Sequence, residues 1–176
     1  GTVHQEYDLS FVEPYLFDKP ISWGNNIFAN SQDNENTLFG EKRIGASTTV
    51  SRLFKDVIRL GSGYTLERVK LTDIASNAPT SVTDFKGPDW LSRLRAFTTY
   101  DNRDNVLNPT KGRVLNLSGE VVGSFLGGDQ EFYILRTGYT EYLTFHQKQQ
   151  IEFQARLATS DAFGKTSMTP AYDRFF

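Results

Sequence analysis

Residues 131–159 read EFYILRTGYTEYLTFHQKQQIEFQARLAT, and apolar side chains recur at alternate positions through most of that stretch. Tyr133, Leu135, Tyr139, Leu143 and Phe145 fall on one parity, against Arg136, Gly138 and Thr140 on the other. After the short break 146–148 the pattern resumes, with Ile151, Phe153, Ala155 and Leu157 set against Gln150, Glu152, Gln154 and Arg156. Alternation sustained over about ten residues predicts two strands, each with one apolar and one polar face, joined by a tight turn. The same period-two pattern marks 5–13 (Tyr7, Leu9 and Phe11) and 57–66 (Ile58, Leu60, Tyr64 and Leu66). It is weaker in 21–30, 42–53, 91–100 and 112–122. Eight strands and no convincing helix are expected, and the shorter and longer connections mostly alternate, as in an up-and-down antiparallel meander.

Composition narrows the class. The 176 residues are enough for one domain, and 19 basic against 21 acidic side chains give a net charge of −2. That balance gives no reason to expect a nucleic-acid partner. Without cysteine there is neither a disulfide framework nor a thiolate metal site. The chain is only 38% apolar yet carries 14 Phe, 8 Tyr and 2 Trp, too many aromatics for a disordered segment. No run approaches the ~18 apolar residues of a spanning helix.

Two barrels fit this pattern. A soluble, lipocalin-like barrel turns its apolar face inward, whereas an outer-membrane barrel turns it toward lipid and lines its interior with polar residues. Alternation alone does not choose between them. The clearer strands reach the ~9–11 residues that cross the hydrocarbon layer when tilted. Aromatics also gather near strand ends: Tyr15, Phe17, Trp23, Phe54 and Phe145 by the shorter turns, and Phe28, Phe125, Phe132 and Phe163 by the other loops. Interfacial girdles sit there, so the expectation is a transmembrane β-barrel. Its lumen-facing side would include Arg59, Arg136, Glu152 and Arg156.

The densest polar cluster is Asp101-Asn102-Arg103-Asp104-Asn105, followed by Asn108-Pro109-Thr110-Lys111-Gly112. A calcium loop would need an oxygen ligand where Arg103 stands, so an ordered turn is the better reading and no metal is expected. Catalytic patterns are thin. The only histidines are His4 and His146, and neither G-x-S-x-G nor H-E-x-x-H occurs, so no enzyme and no cofactor are expected. Gly61-Ser62-Gly63 is better read as small residues on an inner barrel face than as a dinucleotide fingerprint. Asp33-Asn34-Glu35-Asn36 reads as a solvated loop tip.

The cluster also carries a family likeness. YDNRDNVLNPTKGRVLNLSGE (100–120) resembles the D-x-R-D-N…P-T-x-G signature of the BamA-type outer-membrane assembly family, the bacterial surface antigens. SFVEPYLFDKPISWGNNIF (10–28) resembles that family's strand–PYLF–strand hairpin, here with Pro14, Tyr15 and Phe17. YDRFF (172–176) is similar to the approach to its R-G-F loop. The resemblance implies that Asp101, Arg103, Asp104, Asn105, Pro109, Thr110 and Gly112 form a periplasmic turn. It also implies a sixteen-strand barrel in the bacterial outer membrane, of which this chain is expected to hold about eight strands. POTRA domains and the remaining strands are expected to lie outside it, and the terminal Phe176 is expected to be a coincidence rather than a closing-strand signal. The implied role is assembly and insertion of outer-membrane β-barrel proteins. Its implied partners are outer-membrane lipids, unfolded precursor proteins and accessory lipoproteins. A polypeptide transporter of the two-partner secretion type and a generic outer-membrane barrel or surface antigen are the alternatives.

Overall fold

A computed structural model of the chain describes residues 3–33, 39–85, 87–145 and 149–174. Eight strands succeed one another: β1 (Val3–Glu13), β2 (Ile21–Asp33), β3 (Gly40–Phe54), β4 (Ile58–Thr72), β5 (Asp89–Asp101), β6 (Gly112–Val122), β7 (Phe132–Phe145) and β8 (Gln149–Ala162). Each pairs antiparallel with the next, giving one sheet in the order β1 to β8, the meander the alternation predicts. Among the described residues helix is confined to short turns such as α1 (Thr80–Thr83). None of the described helices is long and apolar enough to cross a membrane. His146, Lys148, Phe176 and most of the 33–36 loop tip lie outside the described residues.

Residues directly opposite each other on neighbouring strands share a face, so the register sorts every strand position into two sets. Tyr7, Ala29, Ile44 and Arg68 form one row of the first face, and Leu117, Thr137 and Leu157 belong to another. On this face Leu9 is 71% exposed and Leu157 72%. A sheet this apolar on its exposed side would be an aggregation surface in water, whereas lipid solvates it. The opposite face carries Arg59, Glu67, Arg93, Glu120, Arg136, Glu152 and Arg156. Polar inside and apolar outside is the membrane-barrel arrangement, and the strands of 11 to 15 residues are long enough for it.

Several strands run further toward the long-loop end than their sequence pattern suggests. β4 continues to Thr72, past the expected end at 66. Beyond Leu66 the pattern inverts: Val69 and Leu71 are buried on the inner face, while Arg68 and Lys70 are exposed on the outer one. The strand is leaving hydrocarbon there, so the outer face turns polar while the inner face meets packed loops. The short core sits at this end. Val69, Leu71, Leu91, Val122, Phe132 and Ile134 of the inner wall are covered by Val82 and Phe85 from the β4–β5 connection. Ala171 and Tyr172, from the segment after β8, complete it.

Trp23, Phe54 and Phe145 take outward parity beside the short turns, and Tyr15, Phe17 and Phe125 stand exposed in the connections. Phe28 and Phe132 do not belong to a girdle. Phe28 is opposite Asp8 and Gly45 on the inner face, and Phe132 is fully buried in the core. Nearness to a strand end does not reveal parity, and parity decides which medium an aromatic meets.

Gly61 faces inward directly opposite Phe97, and a Cβ at Gly61 would lie 2.3 Å from Phe97 Cζ. The missing side chain makes room for the ring. Gly61→Ala is therefore expected to destabilise the folded barrel by about 1–3 kcal/mol, the range for overpacking. In a Phe97→Leu background the penalty should shrink. Urea titration of the heat-modifiable band measures both, and equal penalties in the two backgrounds would rule out this steric pairing.

Candidate functional site

The polar turn between β5 and β6 is built from side chains that replace missing backbone partners. Arg103 grips Asp101 with both arms of its guanidinium, Nε to Oδ1 at 3.0 Å and Nη2 to Oδ2 at 2.6 Å. Its backbone N–H donates to the same Oδ1 at 3.1 Å. Asp104 Oδ1 accepts the backbone N–H groups of Thr110 and Lys111, at 2.9 and 3.1 Å, and Oδ2 accepts the Thr110 hydroxyl at 2.5 Å. Asn105 Oδ1 accepts from the N–H groups of Leu107 and Asn108. Pro109 has no N–H to satisfy. Gly112, at φ 109°, lies where a Cβ would meet the Asn102 carbonyl oxygen at 2.6 Å. The seven motif residues thus converge on one compact turn, which Thr144 ties to β7 through its hydroxyl and the Thr110 carbonyl at 2.6 Å.

Donation by the Thr110 hydroxyl, then by the N–H groups of Lys111 and Thr110, holds the Asp104 carboxyl down at about 2. A depressed folded-state pKa stabilises the turn while the pH is above the ordinary carboxylate value, and that stabilisation is lost as pH falls through about 2. The turn keeps its anion throughout the neutral range.

Pro14, Tyr15 and Phe17 occupy a separate turn between β1 and β2. There Phe17 (φ 54°) and Asp18 (φ 59°) both adopt the left-handed conformation, and the Phe17 side chain is exposed. Arg59, Arg136, Glu152 and Arg156 share the inner face, but register spreads them over β4, β7 and β8. Arg59 reaches Ser51 Oγ at 3.4 Å.

The inner wall carries a tighter constellation that sequence reading does not single out. Arg93 is its hub, with Nε 2.5 Å from Glu67 Oε1, Nη1 2.8 Å from Glu120 Oε1 and Nη2 2.5 Å from Asp173 Oδ2. Arg43 pairs with Glu41, lies 3.2 Å from Glu67 Oε1, and donates to the Tyr172 carbonyl oxygen at 2.8 Å. The Tyr172 hydroxyl donates to Asp89 Oδ2 at 2.8 Å. Burial, reinforced by the Asp89 carboxylate, pushes the Tyr172 phenol well above its ordinary value, so it remains a donor. Strands β3 to β6 each supply charges, and the segment after β8 folds back to place Asp173 between the two arginines. The sequence signal is faint: Glu67, Arg93 and Glu120 are single charges on inward parity, and only register shows that they meet.

A family profile described as the Omp85 superfamily domain matches residues 1–176. The chain is 29% identical over 133 residues to the outer membrane protein assembly factor BamA of Neorickettsia risticii (strain Illinois), covering 75% of this chain and 18% of that protein. It is 27% identical over 138 residues to the outer membrane protein assembly factor BamA of Nitratidesulfovibrio vulgaris, covering 78% of this chain and 17% of that protein. The crystal structure of BamA from Haemophilus ducreyi lacking POTRA domains 1–3 superposes on 98% of the chain with a TM-score of 0.85, at 24% identity. That likeness covers 36% of the crystallised chain and speaks for the fold. This chain therefore spans less than a fifth of the curated proteins it resembles.

Three outcomes are expected from this geometry. Arg103→Ala should lower the yield of folded, heat-modifiable barrel, and Arg103→Lys should restore it only in part, because an ammonium keeps the charge but not the two-armed grip. Yield unchanged by Arg103→Ala would show that the turn does not need the ion pair. Arg93→Met should leave Glu120 without its cation and Glu67 and Asp173 sharing Arg43 alone, a loss on the order of 3–5 kcal/mol that urea titration of the folded band would read. Asp173→Asn should loosen the returning segment, which limited trypsin digestion would register as faster cleavage after Lys165 and Arg174.

Proposed function

This chain belongs to the Omp85 superfamily, and from that premise we propose that it forms part of the barrel wall of an outer-membrane protein assembly factor. It is a protein of the bacterial outer membrane. The observation that carries the functional reading is the likeness, along about three-quarters of the chain, to two proteins that are both named for outer-membrane protein assembly.

The proposed activity needs no reaction centre. In hydrocarbon every backbone N–H and C=O must find a partner within protein, so a precursor strand enters lipid at low cost only by adding to another strand. A barrel with one weakly paired seam presents such an edge, and β-augmentation lets the incoming strand dock there. On this reading β1 to β8 are the firmly paired wall that keeps the seam's opposite side rigid. The inner charge cluster fixes the segment after β8 against that wall. The turn at 101–112 locks the short-turn end. Sixteen strands would close the wall, with the rest supplied by the whole protein. The partners on this reading are unfolded β-barrel precursors, the lipids around the wall, and accessory lipoproteins on the short-turn side.

The test is reconstitution of the whole protein into phosphatidylcholine vesicles, followed by addition of a urea-unfolded outer-membrane precursor. Protease-protected, heat-modifiable precursor should accumulate faster than in empty vesicles. Ion conductance without any acceleration of insertion would point to a passive barrel and remove the assembly reading.

A further inference from the structure

At the long-loop end of β3 and β4 the outward face changes from apolar to cationic. Ile44, Ala46 and Leu66 are exposed on the lipid side, and Arg68, Lys70 and Lys42 follow on the same face, also exposed. Register sets Lys42 directly opposite Lys70. Like charges facing each other across a sheet are destabilising by themselves. Among the described residues neither lysine nor Arg68 has a carboxylate partner, whereas their inward neighbours Arg43 and Glu67 are both held in the inner cluster. Arg68 instead sits over Trp90, its guanidinium carbon 5.9 Å from the ring centre.

Depth gives these cations a meaning. Register carries a row from Tyr7 through Ala29, Ile44 and Arg68 to Trp90. Because barrel strands tilt, this row climbs obliquely, so the depth of the cations is read locally from Trp90, directly opposite Arg68. Tyrosine and tryptophan on a lipid-facing surface mark the boundary between hydrocarbon and headgroups. The next row outward is Gln5, Ser31, Lys42 and Lys70, two residues further along and so ~7 Å away before tilt. On β3 and β4, beside Trp90, that step leads from the apolar band into the level expected for headgroups, where ammonium groups are free of the cost they would meet in hydrocarbon and within reach of lipid phosphates. Ala29, between Tyr7 and Ile44, leaves a depression below them. The resulting concavity of about 530 Å³ is lined by Tyr7, Ala29 and Ser31 as well as Lys42, Arg68 and Lys70.

We propose that Lys42, Arg68 and Lys70 bind the phosphate of a lipid headgroup in the leaflet on the long-loop side, with the lipid's hydrocarbon resting on Tyr7, Ala29 and Ile44. Charge complementarity selects the occupant: three clustered cations with no acid paired to them among the described residues, opening below onto an apolar floor, match an anion carried on a hydrocarbon tail. The assignment rests on the chain being an outer-membrane barrel wall and is independent of the assembly activity.

The test uses the whole protein in phosphatidylcholine nanodiscs doped with lipid A, either phosphorylated or enzymatically dephosphorylated. Lipid retained after transfer to detergent is counted by native mass spectrometry. The phosphorylated form should be retained in preference, and Lys42→Gln and Lys70→Gln should each lower its retention by about fivefold, the effect of one cation near an anionic surface. Arg113→Gln, which removes an exposed outward cation at the short-turn end, should change nothing. Equal retention of the two lipids, or variants that retain lipid like the parent, would overturn the proposal. So would displacement of the lipid by inorganic phosphate, which would make this a site for free anions. Heat-modifiability checks that each variant folds, and should a variant fail to fold, the comparison of the two lipids on the parent protein decides. Loss of precursor insertion with lipid retention intact would count against the assembly reading alone.

Discussion

In hydrocarbon a strand has no water to satisfy its backbone, so each N–H and C=O must be met by a neighbouring strand. The unbroken ladder from β1 to β8 answers that constraint, and most other features follow from it. Continuous pairing fixes register, and register assigns each side chain to lipid or lumen. A shift of one residue in any strand would carry its leucines and isoleucines into the lumen and its arginines into lipid. The hydrophobic pattern is modest in total yet strict in position for that reason.

Strand ends are where the two environments trade places. At the level of Leu66 the outer face is apolar and the inner face polar, but a few residues further along β4 the relation is reversed. Val69 and Leu71 turn inward to a small core while Arg68 and Lys70 face the headgroup layer. One continuous strand therefore serves three media: hydrated lumen, hydrocarbon and interface. The short-turn end is finished differently. Asp101, Arg103, Asp104 and Asn105 spend their side chains on backbone and on one another, so the 102–111 connection is ordered without an apolar core of its own.

The inner wall has to hold charge without dissolving its own packing. Arg93 and Arg43 do so by sharing carboxylates from neighbouring strands and from the returning segment. Removing one member costs far more than the pair contributes, because a group left alone has lost both water and partner. Buried pairs of this kind are weak sources of net stability but strong determinants of geometry, and here they fix where the chain after β8 lies. Among the described residues the outward cations Lys42, Arg68 and Lys70 of β3 and β4 have no such carboxylate partners, which sets that outer surface apart from the neutralised inner wall.

Much of this was legible in the amino-acid order, because strand periodicity is local. Alternation in 131–145 and 149–159 is enough to place β7 and β8, and Asn, Asp, Pro and Gly in 101–112 announce a turn through their own backbone preferences. The parity of Arg59, Arg136, Glu152 and Arg156 is likewise readable, since side chains alternate within each strand by themselves. What periodicity cannot carry is the relation between strands. Glu67, Arg93 and Glu120 stand 26 and 27 residues apart, and Asp173 is 80 residues from Arg93; only register and the return of the chain bring them together. Phe28 and Phe132 look interfacial by position and turn inward because register, not proximity to a loop, sets their face. The amino-acid sequence determined the strands, their polarity and the turns, which depend on near neighbours. The tertiary structure alone decided which charges meet, because the partners lie far apart in sequence and meet only once the ladder has set their register.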